Sequence, residues 1–314
     1  NALTDGQKEL VTNYGSLLEA KATLDLLKDA AADKEAAEAV IDLIEGIGDV
    51  SLDSEEAIEE ALAAYEALTE SQRELVTNYE TLMEAAETLK LLKLDAYIAE
   101  IYQTTGKYLS DREAPGVGTT DGEWRVIGLS RAGRSVPDAY YEAVVAYVQD
   151  NIDDNGRLQA GKSSDNSRII LALTAIGKDV TDVGGHDLLS GLDEMKYIGI
   201  QGVNGYIWAL IAFDSHKYPI PAGDVTREKL LGTILTEQKA DGGWAQSGDV
   251  GDADMTGMAL QALAPYYDSN DAVKAAVDKA LNWISNAQNA DGTFSTYGTP
   301  TAESSAQIIT GLTA

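Results

Sequence analysis

The chain has 314 residues, with 52 acidic side chains against 23 basic ones and a formal charge of −29. Lys and Arg never form a run, so neither a polyphosphate backbone nor an anionic membrane surface finds the clustered cations it needs. Cysteine is absent, which removes thiol nucleophiles, disulfides and thiolate metal sites. The two histidines, His186 and His216, lie beside no nucleophile motif and read as surface residues. No apolar run approaches the roughly 18 residues that span a bilayer, and no basic-then-apolar leader opens the chain, so no membrane insertion is expected.

The elements begin with an internal repeat at a spacing of 65: Ala2 to Tyr14 returns as Ala67 to Tyr79. Each copy reads as one long amphipathic helix, with Leu17, Leu24 and Leu27 matched by Leu82, Leu89 and Leu92. Between them the pattern predicts two shorter helices. One runs from near Asp33 to the Gly46-Ile47-Gly48 break; the other is capped within Ser51 to Ser54 and runs through Ala67. Residues 1–93 thus form a helical bundle carrying a charge of −15, while the remaining 221 residues carry −14. Without Gly-rich loop, Trp or His, this stretch holds no catalytic constellation.

From Leu94 the texture changes. Leu89 to Ile101 reads as one uninterrupted helix across that boundary, a stiff elbow that resists cleavage between Lys93 and Asp95. Small-residue helices then recur at Gly128-Leu129, Ala172-Leu173, Ala209-Leu210, Ala259-Leu260 and Gly311-Leu312. Four of their preceding loops carry Asp-Gly or Asn-Gly, at Gly122, Gly156, Gly242 and Gly292. A hydrophobe follows two positions later as Trp124, Leu158, Trp244 and Phe294. Partner helices are predicted at 96–110, 138–149, 187–193, 227–238 and 271–288. About five helix pairs of some 45 residues, one member amphipathic and the other apolar all round, describe an all-α repeat: inner helices wrapped by outer ones. Spacing alone leaves open whether the ring closes.

Two resemblances extend this reading. The Leu-Val-x-Asn-Tyr signature at Leu10 to Tyr14 and Leu75 to Tyr79 resembles the FIVAR-like three-helix repeats that serve as stalks in Gram-positive surface proteins. Since Asn1 falls just before a long helix, the first copy reads as part of a truncated array. The segments Gln238 to Trp244, Asp252 to Leu260 and Gln288 to Phe294 resemble the terpenoid cyclase and protein prenyltransferase superfamily, over about residues 94–314. That resemblance implies a closed α/α toroid, usually of six helix pairs. Five are counted here, and both chain ends read as fragment boundaries. Activity is implied less strongly than fold, since the superfamily also includes cobalamin carriers and complement thioester domains.

Class II cyclases of that superfamily protonate an alkene with the middle Asp of an Asp-x-Asp-Asp motif. The corresponding residues are Asp252-Ala253-Asp254-Met255, so Asp254 would be the general acid and Asp252 its partner, with the next Asp lost to Met255. The plainer alternative is that Asp254 caps its helix. The prenyltransferase zinc site and thioester chemistry both need the missing Cys. A calcium-like loop at Asn151 to Gly156 fails at Lys162, where a bidentate Glu is required, so no metal and no cofactor are expected. The residues placed at one mouth of the ring are Trp124, Arg168, Tyr206, Trp208, Trp244, Asp254, Tyr297 and Glu303; they suit an apolar or sugar-like ligand. For Trp208 and Trp244 a packing role competes with that assignment. The expected function is a noncatalytic binding or adhesion module of a bacterial surface protein, extracellular or attached to the cell wall. Its partner would be a small molecule, glycan or protein. A divergent cyclase using Asp254 and a corrinoid-binding domain are the alternatives.

Overall fold

The computed structural model describes residues 3–119 and 121–314, and the chain divides into two compact units, Asn1–Thr105 and Gly106–Ala314. Among the described residues the architecture is all-α apart from one short hairpin, β1 (Ser295–Thr296) against β2 (Thr299–Pro300).

The first unit contains α1 (Asp5–Glu9), α2 (Tyr14–Gly46), α3 (Glu55–Ala67), α4 (Glu70–Arg73) and the larger part of α5 (Tyr79–Ser110). Neither repeat copy is one long helix. In each, a Thr-x-x-Gln capping box closes a short helix: Thr4 N–H donates to Gln7 Oε1 and Thr69 N–H to Gln72 Oε1, both at 2.9 Å. A break follows before the long helix restarts at Tyr14 and Tyr79. The start expected near Asp33 is also absent, because α2 runs without interruption to Gly46. An Ala-rich stretch with no Gly or Pro between Gly15 and Gly46 favours continuation, and the turn comes at Gly48, whose φ of +60° suits glycine. The core gathers Ala37, Val40 and Ile44 of α2, Ile58 and Ala61 of α3, Val76 ahead of α5, and Leu82, Ala85 and Leu89 of α5.

The second unit contains α6 (Glu123–Arg131), α7 (Asp138–Asn151), α8 (Ser163–Ala175), α9 (Met195–Ile198), α10 (Val203–Asp214), α11 (Arg227–Thr236), α12 (Ala253–Leu263), α13 (Asp271–Ala287) and α14 (Ala302–Leu312). The apolar helices pack in succession, α6 on α8, α8 on α10, α10 on α12 and α12 on α14. The backbones of α12 and α14 approach closely. A Cβ on Gly257 would lie 2.4 Å from the Gln307 carbonyl oxygen, and one on Gly311 would lie 2.6 Å from that of Gly257. The amphipathic α11 and α13 cover α10 and α12, and one core joins all these helices. The helix expected at 187–193 does not form: a single 3₁₀ turn, Ser190–Leu192, stands there. Asn166 Nδ2 takes the carbonyls of Leu188 and Gly156 at 3.1 and 2.8 Å, which holds this segment in a strap instead of a helix.

Candidate functional site

Three of the glycine-turn loops share one construction. Gly156, Gly242 and Gly292 all have positive φ, and the residue two places later is buried: Leu158, Trp244 and Phe294. In each case its backbone N–H donates to a side chain of the following helix, to Asn166 Oδ1 (3.0 Å), Thr256 Oγ1 (3.0 Å) and Ser305 Oγ (3.1 Å). Trp244 also donates through Nε1 to the Ile234 carbonyl at 2.7 Å and is wholly buried. Its assignment to a binding mouth is therefore corrected: it is a packing anchor.

Trp124 occupies the same position in the first loop and behaves differently. Gly122 has φ of −86°, and α6 begins directly at Glu123, so Trp124 belongs to the helix. Its ring is 42% exposed and lies against Trp208 of α10, with centroids 4.9 Å apart and planes at 51°. Trp208 is itself nearly buried and is fixed by Nε1 donating to Asn204 Oδ1 at 3.1 Å. This is an aromatic platform with one face held by the fold.

Beside it, Glu123 is fully buried. Its Oε1 accepts from Gly118 N–H at 2.7 Å, and its Oε2 lies 2.8 Å from Arg168 Nε. Arg168 Nη2 lies 3.2 Å from Asp165, so this guanidinium faces two carboxylates and presents no net positive charge. Tyr140 belongs to the same buried group. Its hydroxyl has no hydrogen-bond partner among the described residues; burial first, and then the Glu123 charge, push its pKa well above the usual tyrosine range.

At the start of α12 the cap is Asp252, not Asp254. Asp252 Oδ1 accepts from Met255 N–H at 2.7 Å, so Asp254 is the second residue of the helix's first turn, and the capping alternative for it is corrected. Burial raises the Asp252 pKa, the neighbouring Asp254 charge adds to that, and backbone amides oppose it. Asp254 Oδ1 is buried without a hydrogen-bond partner among the described residues.

The remaining expected residues scatter. Tyr206 is half-buried with its hydroxyl against Gly199, where a Cβ would lie 2.1 Å from it. Tyr297 is 86% exposed at the hairpin turn with φ of +52°, and Glu303 is exposed in the first turn of α14. Among the described residues neither shares a hydrogen bond, ion pair or ring contact with the tryptophan pair. His186 is half-buried in a bridge with Val183, while His216 is exposed beside the Tyr218 ring. Glu123, Asp165 and Asn204 were missed from sequence. A lone Arg168 in an apolar helix signals that a carboxylate faces it, but it does not say which one.

Among the described residues no group of His, Asp or Glu is arranged to hold a metal ion, and no helix is long and apolar enough to cross a membrane. No family model, curated protein or solved structure matches the chain.

Proposed function

We propose that the second unit is a noncatalytic binding module of the α/α toroid type, carried on a bacterial surface protein outside the cell or in its wall. The unit's ligand packs on Trp124 and Trp208. The observation that carries this reading is the exposure of Trp124. At the equivalent positions Leu158, Trp244 and Phe294 are all buried, yet here a large aromatic ring stays in solvent above a fixed partner. The neighbouring charges narrow the ligand. Arg168 is paired with Glu123 and Asp165, so an anion gains little, whereas a sugar ring stacks its apolar face on the exposed indole. The succession of inner helices α6, α8, α10, α12 and α14 supports the toroid, and the acidic repeats of the first unit suit a stalk.

Mass spectrometry of whatever co-purifies with the intact chain, followed by fluorescence titration with neutral oligosaccharides, tests this. Saturable quenching that disappears in Trp124→Ala is expected. Saturation by cobalamin instead would favour a corrinoid carrier.

One observation favours the second reading, a divergent cyclase. The buried, unpartnered Oδ1 of Asp254, next to the capping Asp252, leaves a carboxyl oxygen free for a general acid's proton. Turnover of a polyprenyl substrate that vanishes in Asp254→Asn would replace the binding module with that enzyme.

A further inference from the structure

The two copies of the 65-residue repeat have the same side chains in opposite environments. In the second copy Val76, Leu82, Ala85 and Leu89 are 8%, 0%, 6% and 6% exposed, packed against Ala37, Val40, Ile44, Ile58 and Ala61. Their counterparts in the first copy are Val11, Leu17, Ala20 and Leu24. Val11, Leu17 and Leu24 are 38%, 64% and 50% exposed, and Ala20 is exposed as well. Leu27, whose counterpart Leu92 is half-buried, extends this apolar stripe along the first half of α2. A helix with so much uncovered leucine lacks the tertiary packing that normally sustains one.

The polar positions repeat too. In the second copy Gln72 Nε2 donates to Asp33 at 2.9 Å, Asn78 Nδ2 donates to the Ile41 carbonyl at 3.1 Å, and Tyr79 stacks on Tyr65 with centroids 4.1 Å apart. All three reach the pair formed by the later part of α2 and α3. Gln7, Asn13 and Tyr14 stand at the matching places of the first copy. Gln7 keeps its capping bond to Thr4.

We propose that the stripe from Val11 to Leu27 is a docking face for a further helical pair of the kind formed by residues 33–67. That pair would set two apolar faces into the stripe, bring a carboxylate to Gln7 and a helix carbonyl to Asn13, and lay an aromatic ring on Tyr14. The occupant is fixed by what already covers the same seven side chains 65 residues later in this chain. It is not a generic apolar partner.

The test places a copy of residues 29–66 directly ahead of Ala2, in place of Asn1, which restores the 65-residue spacing. Hydrogen exchange is then followed by mass spectrometry over residues 14–30. The extended chain is expected to slow exchange across Leu17 to Leu27 by at least about tenfold relative to the original chain. The gain should be lost when the added counterparts of Ile44 and Ile58 are changed to Asp. Unchanged exchange, or equal protection by the Asp control, would overturn the proposal. So would concentration-dependent protection of the unextended chain together with a dimer in sedimentation, since a second copy would then be the occupant. A separate measurement guards against failure of the extension to fold. Leu17→Asp with Leu24→Asp should leave the melting temperature of the original chain unchanged and abolish the protection of the extended one. Loss of stability in the original chain would show the stripe already covered.

Discussion

Replacing Glu123 by Gln removes one charge and almost no volume at a fully buried position. Gln retains an acceptor for Gly118 N–H, now 2.7 Å from Oε1, so the loss falls on the contact of 2.8 Å with Arg168. Breaking a buried ion pair by removing one partner costs about 3–5 kcal/mol when the other charge is stranded. Arg168 is not fully stranded: its side chain is 20% exposed and keeps Asp165 at 3.2 Å. The cost is therefore set at or below the floor of that range, about 2–3 kcal/mol. For a unit of this size that corresponds to roughly 5–10 °C in Tm. Urea unfolding and calorimetry of the full chain measure it. Arg168→Met alone should cost more, because it leaves the buried carboxylate unpaired. The double variant should cost less than the two singles together by about 2 kcal/mol. A Glu123→Gln variant within about 0.5 kcal/mol of the parent, with additive singles, would refute the assignment of Glu123 and Arg168 as one coupled element.

Three further outcomes follow from other parts of the second unit. Burial raises Tyr140, Tyr197 and Tyr266 above the ordinary tyrosine value, Tyr197 to about 12. Because the folded values exceed the unfolded ones, this stability is complete below about pH 10 and is lost as pH rises, by up to about 1.4 kcal/mol per pH unit for each Tyr; denaturant midpoints from pH 8 to 11.5 should fall accordingly. At the α12 cap, Asp252→Ala should cost about 1 kcal/mol in urea unfolding. Asp252→Asn should cost little, since it retains the cap and removes a charge whose pKa burial raises. Gly257→Val drives a side chain into the Gln307 carbonyl, so it should destabilise by at least about 1–3 kcal/mol; a neutral result would mean α12 and α14 lie further apart than described.

The parts legible in sequence are those that depend on local pattern. Apolar periodicity and glycine turns announced α8, α10, α12 and α14. The close repeat located the equivalent copies of the first unit, and Thr-x-x-Gln held the short helices that periodicity alone ran together. What sequence could not supply was partnership across the fold. The strap at 187–193 lost its helix because Asn166, more than twenty residues away, captures its carbonyl. Asp254 lost its capping role because Asp252 reached the Met255 amide first. Leu17 and Leu82 are indistinguishable in sequence and opposite in burial, since burial is decided by what packs on a residue.

The same distinction separates the site from the core, and it gives the last prediction. A left-handed glycine at positions 156, 242 or 292 turns the next residues inward, and the backbone amide two places on is tied to the following helix, so Leu158, Trp244 and Phe294 become core. At Gly122 the turn is not left-handed and the helix starts at once. Trp124 then cannot reach that core position, while Glu123 beside it is buried and must be neutralised by Arg168. The exposed indole and the buried carboxylate are thus two consequences of one local change. Trp244→Ala removes a fully buried indole and its bond to Ile234 and should cost about 3–5 kcal/mol. Trp124→Ala forfeits its ring contact with Trp208, about 0.5–1.5 kcal/mol beyond the area that the partly exposed ring covers, and so should cost less than Trp244→Ala, while abolishing ligand quenching. Equal losses of stability in urea unfolding would mean that Trp124 is another anchor of the core, and the binding platform would have no basis.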